Sequence, residues 1–260
     1  TTTLLMLLGL SEPTSGKAWV CGFDPTREPL KVKRLVGYLP ENVGFYDDLN
    51  AVENLQYVAR LNGIPDSISE PKIQDLLKLV ELQNEQQKKV GDYSRGMRQR
   101  LGIAEVLVKE PRLVFLDEPT LGLDPQTRRH IWDYILALRK QSRLTIFLTT
   151  HYMDEAENCD RISIIDHGHI IALDTPERLK DAMGGDTVTL KTADNNAAVL
   201  ELKSKFNLSP LIQNGAITFS VPQGEKFLPK LMENFQTHLL SIGINRPTLD
   251  DVFLKLTGRA

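Results

Sequence analysis

Residues Leu113-Val114-Phe115-Leu116 run straight into Asp117-Glu118-Pro119. Consecutive apolar residues without alternation need cover on both faces, the condition of a strand inside a parallel sheet. The same texture returns at Leu144 to Leu148 and at Ile162 to Ile165. Between the first two lies a helical stripe, Ile131, Tyr134, Ile135 and Leu138, within Pro125 to about Gln141. Asp124 suits its N-cap and Pro125 its first position. Strand, helix, strand in this order predicts an α/β core. The two carboxylates at the strand end then stand where open α/β sheets place their ligands.

The flanking segments are read against that core. Leu4 to Leu8 predicts a buried helix, stopped near Gly9 and Pro13, and Ala18 to Phe23 and Leu35 to Leu39 predict strands. A helical block follows from about Val52 to Glu110, with Pro65 and Pro71 as breaks. Its last helix starts at Ser94, a good N-cap, shows Leu101, Ala104, Leu107 and Val108 as an apolar stripe, and ends before Pro111. Gly184-Gly185-Asp186 marks a boundary. Beyond it come a strand at Val188 to Lys191, a helix at Ala197 to Phe206, a strand at Ala216 to Val221, a helix at Phe227 to Phe235, and a last helix at Leu249 to Thr257. That pattern predicts a small α+β domain.

Composition excludes several classes. The formal net charge is −3, whereas a protein held to nucleic acid by bulk charge would be basic. Cys21 and Cys159 are the two cysteines, too few and too far apart for a disulfide framework. The densest apolar run, Leu4 to Leu8, is far too short to span a bilayer. Trp19, Trp132 and Phe115 are expected in the core. Asp166, His167 and His169 have metal-ligand chemistry, but Gly168 between them favours a solvated hairpin. Cys159 is read as part of a helix.

Four segments carry candidate chemistry, each with a plain alternative. Asp117 at a strand end has the hard oxygens that hold Mg²⁺, and Glu118 beside it can orient or deprotonate a water; the alternative is an acidic turn. Tyr93-Ser94-Arg95-Gly96-Met97 opens a helix whose free N–H groups favour a phosphate; the alternative is an ordinary capped helix with a basic face. In Leu148-Thr149-Thr150-His151 the His follows a buried strand and can contact a γ-phosphate or its attacking water; a lone His is more often structural. Gly122-Leu123-Asp124 is fully explained as a turn and a cap.

Their order is more informative than any one of them. Taken together they resemble the nucleotide-binding subunit of an ATP-binding-cassette (ABC) transporter. Tyr93 to Met97 resembles the family's signature motif, with Arg95 and Met97 in place of its usual Gly and Gln and with Ser94 and Gly96 retained. Leu113 to Glu118 resembles Walker B with the catalytic glutamate, Leu123-Asp124 the D-loop, and His151 the switch histidine. Tyr38-Leu39-Pro40-Glu41 resembles the Q-loop region, with Glu41 where Gln is usual. The segment from Pro247 to Gly258 is similar to the tail of the drug-, lipid- and antibiotic-exporter branch.

The resemblance implies a P-loop NTPase-like parallel sheet with an inserted helical subdomain at about 45–110, all within a nucleotide-binding domain at 1–184, and a small C-terminal domain at 185–260. It implies ATP and Mg²⁺ as ligands. Asp117 and Thr1 would hold the metal. Glu118 and His151 would be catalytic. Thr2, Glu41, Ser94, Gly96, Met97 and Asp124 would contact nucleotide. The implied partners are a second copy of the cassette, paired head to tail, and an integral-membrane permease docked near Val43 to Asn62; no nucleic acid is expected. The implied location is the cytoplasmic face of a membrane, and the implied process is export.

One family element is not in the sequence. No Gly-x-x-x-x-Gly-Lys-Ser/Thr occurs, and Gly16-Lys17 does not supply it, because Gly9 is misplaced and Ala18 follows the lysine. In relatives the P-loop Gly-Lys directly precedes a stretch like Thr1 to Leu10, so the chain as given is expected to begin just after that lysine and to bind ATP poorly by itself. A second reading follows from the same gap: a non-catalytic cassette that pairs with an intact subunit without hydrolysing ATP.

Overall fold

The computed structural model describes residues 1–141, 144–213 and 215–258, without the side chains of Gln141 and Gln213. The chain divides into two compact units, Thr1–His151 and Tyr152–Ala260.

The first unit contains α1 (Thr2–Leu7), α2 (Pro29–Leu35), β1 (Val36–Leu39), α3 (Ala51–Leu61), α4 (Asp66–Leu79), α5 (Arg95–Leu107), β2 (Leu113–Asp117), α6 (Pro125–Gln141) and β3 (Thr145–Thr149). The strands form a parallel sheet in the order β1-β2-β3. The central strand β2 is buried along nearly its whole length, as its unbroken apolar run requires. Strand β3 carries a similar run but has no neighbour on its far side among the described residues, and Phe147 is exposed. Leu4 and Leu8 pack with Val32, Val36 and Phe115, tying the first two helices to the sheet. The apolar stripes of α5 and α6 meet the sheet at Ile103, Val106, Val114, Leu116, Ile135 and Ile146.

Both helix starts follow local chemistry. The Ser94 hydroxyl accepts from the Met97 amide at 3.3 Å. Asp124 accepts from the amides of Gln126 and Thr127, each at 3.0 Å. These caps satisfy N–H groups that a helix start leaves without intrahelical partners. Asn50 and Glu53 form a full capping box at α3.

The second unit contains α7 (Met153–Ala156), β4 (Ile162–Asp166), β5 (His169–Asp174), α8 (Pro176–Asp181), β6 (Asp186–Thr192), α9 (Asn195–Phe206), β7 (Leu211–Gln213), β8 (Ala216–Val221), α10 (Gly224–Asn234), β9 (Leu239–Asn245) and α11 (Leu249–Thr257). Its main sheet is antiparallel in the order β7-β8-β6-β9. Val188, Leu190, Ala198, Leu202, Ile217, Phe219 and Leu231 form a core between this sheet and α9 and α10. A second cluster joins α7, β4, α8 and α11 through Ala156, Ile164, Leu179, Leu249 and Val252.

Several expectations are corrected. Ala18 to Phe23 is not a strand: Val20 and Phe23 pair across a tight turn, with Cys21 and Gly22 both at positive φ. Pro71 does not break the block but lies inside α4, where Ile73, Leu76 and Leu77 are buried and offset its missing donor. Ile162 to Ile165 is not a strand of the parallel sheet: β4 pairs antiparallel with β5, and Ile165, Ile170 and Leu173 are exposed. Asp166 and His169 pair across this hairpin, with His167 and Gly168 in its turn. Trp19 is 65% exposed, whereas Trp132 and Phe115 are buried as expected. Cys159 lies beyond the end of α7 rather than in a helix.

Candidate nucleotide site at the carboxyl edge of the parallel sheet

Because β1, β2 and β3 are parallel, their carboxyl ends emerge on one edge. Glu41 follows β1, Asp117 ends β2 with Glu118 next, and Thr149 ends β3 two residues before His151. The register sets Asp117 beside Thr149.

Asp117 is 1% exposed. A buried carboxylate needs partners. The Thr149 hydroxyl donates to its Oδ1 at 2.6 Å, and the Thr1 nitrogen lies 3.6 Å from the same oxygen. Tyr38 feels the group as well: burial first, then the Asp117 charge and hydrogen bond, push the phenol above its ordinary value. Thr149 therefore grips both Asp117 at the end of β2 and Glu118 just beyond it, since its hydroxyl also accepts from the Glu118 amide at 3.1 Å.

Glu118 departs from the strand. Its φ is +50°, left-handed for a non-glycine residue, a conformation that persists only where surroundings hold it. Its amide donates to the Thr149 carbonyl at 3.2 Å, and its carbonyl accepts from Leu121. The turn separates the two adjacent carboxylates. Asp117 stays buried at the strand end, while Glu118 reaches His151, whose Nδ1 is 2.9 Å from Oε2. Glu118 is 21% exposed and His151 53%, so the pair opens to solvent.

The second group lies at the starts of α5 and α6. A Cβ on Gly96 would come within 2.7 Å of the Thr127 methyl, so this position brings the two helix starts into close contact. The Thr127 hydroxyl donates to Asp124 Oδ2 at 2.6 Å, and this bond, with the amides of Thr127 and Gln126, holds the carboxyl below its ordinary value. Met97 lies in the first turn of α5 with no acidic residue beside it.

The structure thus brings Thr1, Asp117, Glu118 and His151 together through direct contacts or a shared partner. Ser94, Gly96, Met97 and Asp124 form the other group. Thr2 begins α1 and Glu41 stands exposed after Pro40; neither is joined to these groups by a direct side-chain bond. Sequence reasoning missed Tyr38, Thr127 and above all Thr149. A threonine closing an apolar strand beside a histidine was the available signal.

A family model described as ABC transporter matches residues 1–121. The chain is 33% identical over 267 residues to the linearmycin resistance ATP-binding protein LnrL of Bacillus subtilis, covering 99% of this chain and 86% of that protein. It is 36% identical over 270 residues to the doxorubicin resistance ATP-binding protein DrrA of Mycobacterium tuberculosis, covering 99% and 81%. It is 36% identical over 262 residues to the Nod factor export ATP-binding protein I of Cupriavidus metallidurans, covering 100% and 84%. A solved ATP-binding subunit of an ABC transporter superposes with a TM-score of 0.62 at 28% identity, covering 70% of this chain and 76% of that one. Relatives more than 30% identical, each matched over almost the whole of this chain, make it a member of the ABC transporter family, an ATP-binding subunit and ATPase.

Proposed function

We propose that the chain hydrolyses ATP at the carboxyl edge of its parallel sheet to drive export through a separate integral-membrane permease. The observation that carries the chemistry is the split between two adjacent carboxylates: Asp117 buried against Thr149, and Glu118 turned out to His151. The relatives named for drug resistance and Nod factor export support the export reading, and their ATP-binding names favour it over a non-catalytic cassette.

The residues fit Mg²⁺. Asp117 is a buried hard-oxygen donor and Thr1, with its hydroxyl, lies beside it. When bound, the metal offsets charge on the nucleotide phosphates. Asp117 and Thr1 would hold it, and the Thr149 hydroxyl keeps the Asp117 carboxylate in place. Glu118 accepts a proton from the attacking water. His151 fixes Glu118 Oε2 and turns toward the γ-phosphate. Thr2 and Glu41 complete the same side of the nucleotide. The work of these groups is placement and electrostatics.

Ser94, Gly96 and Met97 present the start of α5 to nucleotide held by a second copy, with Asp124 shaping the adjoining turn. This requires a head-to-tail homodimer. The helical segment near Val43 to Asn62 docks the permease. No helix of the described residues is long and apolar enough to cross a membrane, so a permease on another chain fits a cassette at the cytoplasmic face. Residues 185–260 are assigned as an accessory α+β domain.

Glu118→Gln keeps the side chain's shape but cannot take the proton. The full-length variant should bind Mg-ATP like the wild type and lose at least about 100-fold in turnover. Unchanged turnover would remove Glu118 from the role of base.

A further inference from the structure

Arg95 stands at the first position of α5 and is exposed. No acidic side chain lies in that first turn. Its guanidinium lies instead against Gly122. A Cβ built on Gly122 would overlap Arg95 Nη1 and sit 2.6 Å from Cζ and 3.0 Å from Nη2. Three atoms of the planar group therefore occupy the space that any other residue's Cβ would need. Gly122 is also at φ +69°, a backbone conformation that favours glycine whatever the space beside it.

Gly122 belongs to the loop that leaves Glu118. That loop is tied by two short turns, Leu121 amide to Glu118 carbonyl and Leu123 amide to Thr120 carbonyl, both at 3.1 Å. It ends in Asp124, which caps α6. On the other side of Arg95, Gly96 meets the Thr127 methyl. The start of α5 thus touches the loop and the helix it leads into at two successive positions, Arg95 on Gly122 and Gly96 on Thr127 of α6. Arg98 anchors the same turn of α5 to Asp47 at 2.6 Å.

We infer that Arg95 is a positioning residue: its guanidinium, laid on Gly122, fixes the loop that begins at Glu118 and so links the start of α5 to the setting of that carboxylate within one subunit. The inference rests on the proposed ATPase role of Glu118. The Arg95 charge need not meet nucleotide for this. The plate against Gly122 is what holds the loop, and misplacing a catalytic group by about 1 Å costs up to about 100-fold in rate.

The test is a double-mutant cycle on full-length protein, Arg95→Ala, Gly122→Ala and the pair, reading kcat and KM for ATP and amide exchange at Leu121 and Leu123. Arg95→Ala should lower kcat about fivefold, leave KM within about twofold and speed exchange at both amides. Arg95→Lys keeps the charge without the plate and should behave like Arg95→Ala. Gly122→Ala must expel the guanidinium and should lower kcat similarly. Where Arg95 is already Ala, the added methyl meets no guanidinium, so the pair should be no slower than the worse single variant. Additive losses, or normal kcat in Arg95→Ala, would overturn the positioning role. A restored kcat in Arg95→Lys would overturn it in favour of a charge contact. A wild-type protein without turnover would instead overturn the ATPase reading, and this inference with it.

Discussion

The two larger sheets among the described residues handle polar residues in opposite ways. In β1-β2-β3 every strand points the same way, so the residues that follow them collect on one edge. Asp117, Thr149, Glu118 and His151 meet there although they come from segments more than 30 positions apart. In β7-β8-β6-β9 neighbours alternate in direction, and strand ends are shared between two edges. The polar cluster of that region serves the fold instead. Glu201 on α9 accepts from Lys205, from the amides of Gln236 and Thr237, and from the Thr237 hydroxyl. One carboxylate there satisfies the backbone at a helix end. At the parallel edge, Glu118 keeps a side open to solvent. Parallel topology concentrates chemistry, and antiparallel topology spends similar groups on closing the chain.

The largest break in that contrast should come from His151. His151→Ala frees the Glu118 carboxylate and should lower ATP turnover by about 100-fold, with little change in melting temperature, because the ring is more than half exposed. Turnover and thermal melting measured on one preparation check both halves.

Thr149→Val comes next and should affect both properties. It removes the hydroxyl between Asp117 and the Glu118 amide, leaving a buried carboxylate short of a donor. Destabilisation of about 1–3 kcal/mol by denaturant unfolding, together with reduced turnover, is expected. Turnover that survives intact would separate Asp117's position from Thr149.

Glu201→Gln sharpens the other side. Burial alone would raise the Glu201 carboxyl, but Lys205 and the donors of Gln236 and Thr237 outweigh it and hold the group at about 2 against an ordinary 4.5. A depressed folded value stabilises fully above the unfolded one and is lost as pH falls through the folded one. The wild type should therefore melt above Glu201→Gln at neutral pH, with the gap narrowing from about pH 5 down to about pH 2. ATP turnover should not change.

The smallest effects come from two matched helix caps. Ser94→Ala in α5 and Thr248→Ala in α11 each remove one side-chain acceptor from a helix start, at about 1 kcal/mol of stability. Only Ser94→Ala should also lower ATP turnover, since only that helix start is proposed to face nucleotide. Equal turnover in both variants would remove Ser94 from the site.

Much of this was legible in the residues themselves. Ser94 and Asp124 announce their helices because capping is local chemistry, and Leu113 to Leu116 announces a central strand because no other element buries both faces in so few residues. Other features were not legible. Leu144 to Leu148 reads like β2, yet β3 is half exposed, because burial depends on neighbours that the run does not name. The tight turn at Cys21-Gly22 lacked the Asn or Asp that usually signals one. Thr149 could be tied to Asp117 only once the register was known. The left-handed backbone of Glu118 is similarly a product of the strand, the turn and the Thr149 contacts together. The residues of the proposed site could be named from the sequence, while the division into a buried and an open carboxylate was a property of the fold.

The carboxyl edge of the parallel sheet is proposed as the Mg-ATP site. It is tested most directly by titrating ATP into full-length wild type and Asp117→Asn, with and without Mg²⁺. Mg²⁺ is expected to tighten ATP binding to the wild type, and Asp117→Asn to lose at least about tenfold of that enhancement. Equal Mg²⁺ dependence in the two proteins would place the metal elsewhere and contradict the assignment of this edge.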